Sequence, residues 1–314
     1  MSTATRRVGK DARAAKPLAI RYFHPLKLER LASSLVAVAL GGALALGEPG
    51  ATRWPLLATV AVATLLLHAG GRFLLAAASA RRALSRPWRG SQKYTALSLN
   101  RLLTLGAFCL LLGCAFWFLA VIERGWWMLW PGVVALLASL SYAQGPALRE
   151  KGLAEVVSFI LFGPLPVFAA YLAVTGAQSQ LAVLASLPLG FLAAAASLAA
   201  GIRDVAGDRK EGTFTLASAL GRPRVDYLFL GLISAAYGWL IFLVVRGLLA
   251  EICLLPLLTV PLAIRAYALL RAHPREGAEE TVPLVGVAAR LYLYFAIVLA
   301  SCVAVSHAVW QRAI

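Results

Sequence analysis

A chain of 314 residues that is 61% hydrophobic and only 14% charged, with mean hydropathy +0.78, departs from soluble composition, where about a quarter of residues are charged; it reads as an integral membrane protein. The net charge of +16 gives no sign of nucleic acid, because the cations fill short segments between apolar runs, the pattern of membrane topology and anionic lipid contact. Cys109, Cys114, Cys253 and Cys302 form no C-x-x-C and lie in apolar runs, which argues against a zinc site or a disulfide framework.

Residues 1–23 form a basic segment carrying Arg6, Arg7, Lys10, Arg13, Lys16 and Arg21. The apolar run that follows is long and lacks an evident cleavage site, so it reads as an uncleaved first helix. Nine segments approach or exceed the length a bilayer requires: 31–46, 54–80, 102–122, 126–143, 153–175, 181–200, 227–245, 252–270 and 285–305. The first is short, and its helix is expected to start nearer 25–28. Barrel strands would show short alternating segments instead. The predicted fold is all-α, a polytopic membrane protein of about nine transmembrane helices, with one membrane domain over 24–314.

The loops sort by charge. One set holds Glu48 and Arg53, Glu123 and Arg124, residues 175–180, Arg246 and Glu251, and the tail with Arg312. The other holds the basic N-terminal segment, residues 81–93, Arg149 and Lys151, residues 203–224, and Arg271 with Arg275. The sets alternate across all nine spans. The positive-inside rule assigns the basic set to the cytoplasm, giving an N-in, C-out arrangement. Trp54, Trp126, Trp127, Trp130 and Trp310 fall near predicted outer ends, where indole anchors at the interface. Gly41 with Gly42, and residues 193–196, suit close helix packing.

The stretch 201–212, G-I-R-D-V-A-G-D-R-K-E-G, carries the chemistry. Asp204 and Asp208 stand four residues apart, which puts them on one face if the segment is helical. Arg203, Arg209 and Lys210 flank them. Such a pair among cations can hold Mg²⁺ against a phosphorylated ligand, since Mg²⁺ favours one or two carboxylates plus substrate phosphates. The same charges also suit a solvated cytoplasmic loop that sets topology.

Three stretches together carry a family resemblance. They are I-R-D-V-A-G-D-R-K-E-G-T-F-T-L-A from Ile202 followed by L-G-R from Leu220, K-G-L-A-E from Lys151 followed by F-G-P-L from Phe162, and R-G-S-Q-K from Arg89. H-P-L-K from His24 adds to them. Over residues 24–305 the chain resembles the UbiA superfamily of intramembrane prenyltransferases, most of all the branch that prenylates 1,4-dihydroxy-2-naphthoate in menaquinone synthesis. The resemblance implies a helical bundle around a central cavity open to lipid. Two Asp-rich motifs on its cytoplasmic side would hold Mg²⁺ on a polyprenyl diphosphate, whose ionisation gives an allylic cation that alkylates an aromatic acceptor. By this match Asp204 and Asp208 are the metal-binding and catalytic acids, and Arg203, Arg209, Lys210, Arg89 and Lys93 accompany the diphosphate.

The chain departs from the pattern at the first motif. Arg72 stands where the family has asparagine, and the aspartate positions fall at Ala76 and Ser79. No Asp or Glu occurs between Glu48 and Glu123, so the second and third spans and their loop can supply no carboxylate in any register. Arg72 lies within or at the end of a span, where a charge is costly and commonly functional, and is a candidate for direct, bidentate diphosphate binding. His68, one turn earlier, is a candidate cavity residue or a packed histidine. Tyr142 is a second cavity candidate, and Lys151 with Glu155 suits an i,i+4 ion pair. Three readings result: an active prenyltransferase on a quinone precursor; a catalytically impaired relative that binds quinone or isoprenoid lipid as a subunit of a membrane complex; and a changed reaction such as intramembrane terpene cyclisation.

Overall fold

The computed structural model describes residues 28–48, 53–84, 96–141, 152–211, 214–272 and 282–310. Helix dominates, because an apolar segment in lipid must satisfy its own backbone N–H and C=O groups. The α-helices are α1 Leu28–Ala45, α2 Trp54–Leu84, α3 Ala96–Arg124, α4 Leu129–Ser141, α5 Ala154–Phe162, α6 Pro164–Thr175, α7 Gln180–Glu211, α8 Leu216–Leu220, α9 Arg222–Val245, α10 Val260–Ala272 and α11 Val282–Trp310. Short 3₁₀ segments, Trp126–Met128 and Glu251–Thr259, lead into α4 and α10.

Among the described residues, seven helices are long and apolar enough to cross a membrane. The first and fourth predicted segments form shorter apolar helices, Leu31–Ala45 and Trp126–Ser141. The predicted span 153–175 is broken at Gly163 into α5 and α6. Residues 203–211, assigned from charge to a loop, instead continue α7.

Two backbone breaks are repaired by side chains from other helices. Pro188 interrupts α7 and has no N–H for the carbonyl of Leu184; Trp239 of α9 donates its indole N–H there at 3.0 Å. Phe162 ends α5, so its carbonyl has no partner within the helix, and the Tyr292 hydroxyl of α11 reaches it at 2.7 Å. Small residues allow close approach elsewhere. A Cβ on Gly41 would overlap the Val167 carbonyl oxygen, so α1 lies directly on the α6 backbone.

The main core unites α7, α9 and α11 around fully buried Leu189, Leu198, Phe229, Leu240 and Phe295. By contrast α3 turns Phe108, Leu111 and Ile122 outward, a face suited to lipid. One end of the bundle is pinned by polar contacts. Arg53 pairs with Glu123, the Tyr171 hydroxyl donates to Glu48 at 2.6 Å, and Gly47 abuts the His307 ring. Arg124 donates to the last carbonyls of α6, Ala173 at 2.7 Å and Val174. Glu48, Arg53, Glu123 and Arg124, all from the acidic and sparse loop set, thus share one end. Trp126 and Trp127 stack there at 4.0 Å, both exposed.

Candidate functional site

Depth along the helices locates the candidate residues. Measured from the pinned end at 1.5 Å per residue, His68 of α2 and Phe162 of α5 both lie about 20 Å along their helices. They are in fact in contact, with ring centroids 5.1 Å apart. Glu155 of α5 and Gly201 of α7 both fall at about 30 Å, and they also meet: a Cβ on Gly201 would stand 3.8 Å from Glu155 Oε1.

On this scale the polar residues form two layers. The inner one is a node of four helices. Tyr292, 3% exposed, shares its hydroxyl hydrogen between the carbonyls of Phe162 at 2.7 Å and Ser33 at 3.0 Å. The next residue, Ser34, donates to the Leu31 carbonyl at 2.8 Å and meets His68 Nδ1 at 3.2 Å. The donor in the Ser34–His68 contact follows from the histidine tautomer.

The second layer lies farther toward the opposite end. Arg72, half-buried, sits one turn beyond His68 on the same face of α2, about 27 Å along the helix and near the edge of a hydrocarbon layer about 30 Å thick. Asp204 lies about 36 Å along α7, at head-group depth. The helix runs unbroken through Asp208, which fixes the two acids of the motif on one face. Arg203 grips Asp204 with both forks, Nε to Oδ1 at 2.8 Å and Nη2 to Oδ2 at 3.0 Å. The side chains of Asp208, Arg209 and Lys210 lie outside the described set, as do Arg89, Lys93 and Tyr142 altogether.

Lys151, the expected i,i+4 partner of Glu155, lies outside the described residues. Glu155 is buried, 8% exposed, at the seam of α5 with α7, and Ser158 one turn on is also buried. Tyr292 and Ser34 were not singled out by sequence. The end of α5 at Gly163 leaves the Phe162 carbonyl in need of an outside donor, but nothing local says which residue supplies it. Arg265 and Arg290 are both exposed.

Among the described residues the donor set for a pair of divalent cations is incomplete. Ala76 and Ser79 fall about 33 and 38 Å along α2, level with Asp204. They offer a methyl group and a hydroxyl already donated to the Leu75 carbonyl at 3.0 Å. Among the described residues no three His, Cys, Asp or Glu side chains are placed to share a metal ion. The described residues by themselves do not make up a two-ion centre.

Fold and site define a polytopic α-helical membrane protein whose acid-bearing helix end emerges at one face of the bundle. The UbiA prenyltransferase family model matches residues 34–282, and the chain belongs to that family. It is 27% identical over 299 residues to UbiA prenyltransferase domain-containing protein 1 of Ailuropoda melanoleuca, covering 89% of this chain and 84% of that protein. Against the 1,4-dihydroxy-2-naphthoate octaprenyltransferase of Bacillus subtilis it is 28% identical over 145 residues, 46% of this chain and 47% of that enzyme. The naphthoate branch expected from sequence thus matches over a shorter stretch than the animal protein does. The fold resembles the apo structure of a UbiA homolog from Aeropyrum pernix K1, with TM-score 0.64 and 19% identity, covering 89% of this chain and 98% of that one.

Proposed function

We propose that the chain is a membrane prenyltransferase that transfers a polyprenyl group from a diphosphate donor to an aromatic quinone precursor of the menaquinone type. The observation that supports it most is the Asp204–Asp208 motif on the end of a helix that carries it out of the apolar layer. There a charged diphosphate can be met at head-group depth while its apolar tail stays in a cavity between helices or in lipid. Asp204 and Asp208 are the assigned acids, with Arg203, Arg209, Lys210, Arg89 and Lys93 as companions of the diphosphate and Tyr142 near the acceptor. The Mg²⁺ expectation reduces to one ion at Asp204 and Asp208, with Arg203 also on the Asp204 carboxylate. The motif end faces the cytoplasm of a bacterial plasma-type membrane by the positive-inside rule.

A second reading has its own support: α2 carries no acid opposite the motif, and Asp204 is already neutralised by Arg203. It makes the chain a binding subunit for quinone or isoprenoid lipid in a membrane complex. The test incubates the purified protein with a polyprenyl diphosphate and 1,4-dihydroxy-2-naphthoate, with Mg²⁺ and with EDTA, beside an acid-complete relative. Prenylated product supports the transferase. No product in either condition, while the relative turns over, rejects it in favour of the binding subunit.

A further inference from the structure

Two arginines of the late spans take no part in the candidate site. Arg265 of α10 and Arg290 of α11 both lie inside segments long and apolar enough to cross a membrane, and both are exposed. A guanidinium keeps its charge, so within an apolar layer it must meet a counter-charge or be carried to the interface. Among the described residues neither arginine makes a hydrogen bond or an ion pair. We propose that Arg265 and Arg290 together bind the phosphate of an anionic phospholipid, on the lipid-facing wall of the bundle in the leaflet at the Asp204 end.

Three observations carry it. The first is register. Tyr237 of α9 touches both elements: its hydroxyl meets Thr259 Oγ1 at 2.7 Å, just before α10, and its ring stands 5.5 Å from that of Phe295 in α11. From these contacts Arg265 lies about 9 Å and Arg290 about 8 Å along their helices, both toward the Asp204 end. The two positions are level. The second is facing. Arg290 continues an exposed stripe of α11 with Tyr294, Ile297 and Val305, on the opposite side from Tyr292, which reaches inward to α1 and α5. Arg265 shares its side of α10 with exposed Ile264 and Ala268, opposite buried Ala263 and Leu270. The third is depth. His307 abuts Gly47 at the pinned end. Arg290 lies about 26 Å along α11 from it, near the edge of a hydrocarbon layer about 30 Å thick. The 3₁₀ segment Glu251–Thr259 brings Arg265 to a similar depth. Its rise of about 2.0 Å per residue, against about 1.5 Å in an α-helix, carries α10 about 4–5 Å farther. At that depth an arginine stem lies along apolar surface while its head reaches the phosphate plane. Planar guanidinium forks match phosphate oxygens two at a time, and the net charge of the pair favours an anionic head group. The acyl chains would lie along the stripe that Tyr294 and Ile297 expose.

The experiment counts lipid retained by the full chain. Protein is equilibrated in detergent with equal amounts of phosphatidylglycerol and phosphatidylcholine, and native mass spectrometry reads the adducts. The wild type is compared with Arg265→Gln, Arg290→Gln, the double variant, and Arg271→Gln, a control in the last turn of α10; melting curves verify folding. Each arginine near an anionic lipid surface favours it about fivefold, so each single variant is expected to lose about fivefold of the wild-type preference for phosphatidylglycerol, and the double variant about 30-fold. Arg271→Gln should lose less than about twofold. Excess inorganic phosphate separates the two sources of phosphate, and the lipid site is expected to keep its phosphatidylglycerol. Displacement of the lipid by inorganic phosphate overturns the proposal in favour of a free-phosphate site. An undiminished preference in the folded double variant, or an equal loss in Arg271→Gln, overturns it in favour of diffuse attraction to the basic end of the bundle. Each outcome leaves the prenyl-transfer reading untouched.

Discussion

The hydroxyl of Tyr292 reaches the carbonyl of Phe162 from 130 residues away and satisfies the open end of α5. The bond does more than repair a helix. Phe162 is the residue against which His68 packs, and the same hydroxyl holds Ser33, whose neighbour Ser34 orients His68. One turn beyond His68 lies Arg72. The break at Gly163 is thus what brings α1, α2, α5 and α11 to one point and sets the angle at which the polar layer is presented.

Tyr292→Phe is therefore expected to destabilise the protein by about 1–3 kcal/mol, since it leaves a buried carbonyl without a donor at no gain in packing. Melting in detergent reads this out. Tyr294→Phe is the control, because Tyr294 is 50% exposed, and its melting curve should not move.

The repair at Pro188 permits a sharper measurement. Trp239→Phe should cost about 0.5–1.5 kcal/mol in the native background. In a Pro188→Ala background the restored N–H takes over the Leu184 carbonyl, so the same change should cost less. A double-mutant cycle giving a coupling of about 0.5–1 kcal/mol confirms the bond; strict additivity would show that Trp239 acts only by packing.

Gly163→Ala tests the close approach of α5 to α7. The added Cβ would lie 2.6 Å from Gly190 Cα and 2.7 Å from the Phe159 carbonyl oxygen, both backbone groups that cannot yield. A loss of about 1–3 kcal/mol, or failure to fold, is expected. Gly231→Ala, where a Cβ meets nothing within 4 Å inside α9, should instead stabilise by about 0.4–1 kcal/mol.

Asp204→Asn separates a site role from a structural one. The Arg203–Asp204 pair is partly open, with side chains 29% and 28% exposed, so its contribution to stability is small, about 0–1 kcal/mol. Product formation is expected to fall at least about 100-fold with little change in melting temperature. A parallel fall in stability and activity would mark Asp204 as a packing residue.

The two ends of the bundle can be read by labelling. With the four native cysteines replaced, Ala177→Cys is expected to react with a membrane-impermeant maleimide added outside intact cells, and Leu220→Cys only after lysis. The reverse pattern would invert the topology.

Membrane class, helical fold, most of the spans and the loss of acids from α2 are all present in the sequence alone. Each depends on composition, length or the absence of a residue type, and none needs a partner in space. The one-face relation of Asp204 and Asp208 was conditional on a helix, and only the extension of α7 to Glu211 decided it. Tertiary structure also decided where Glu155 goes. Spacing paired it with Lys151, but burial against Gly201 removed it from the surface. The partners of the orphaned carbonyls belong to the same class. A proline or a helix end leaves a carbonyl unmet, but the donor comes from a helix 55 or 130 residues away, and only packing chooses it.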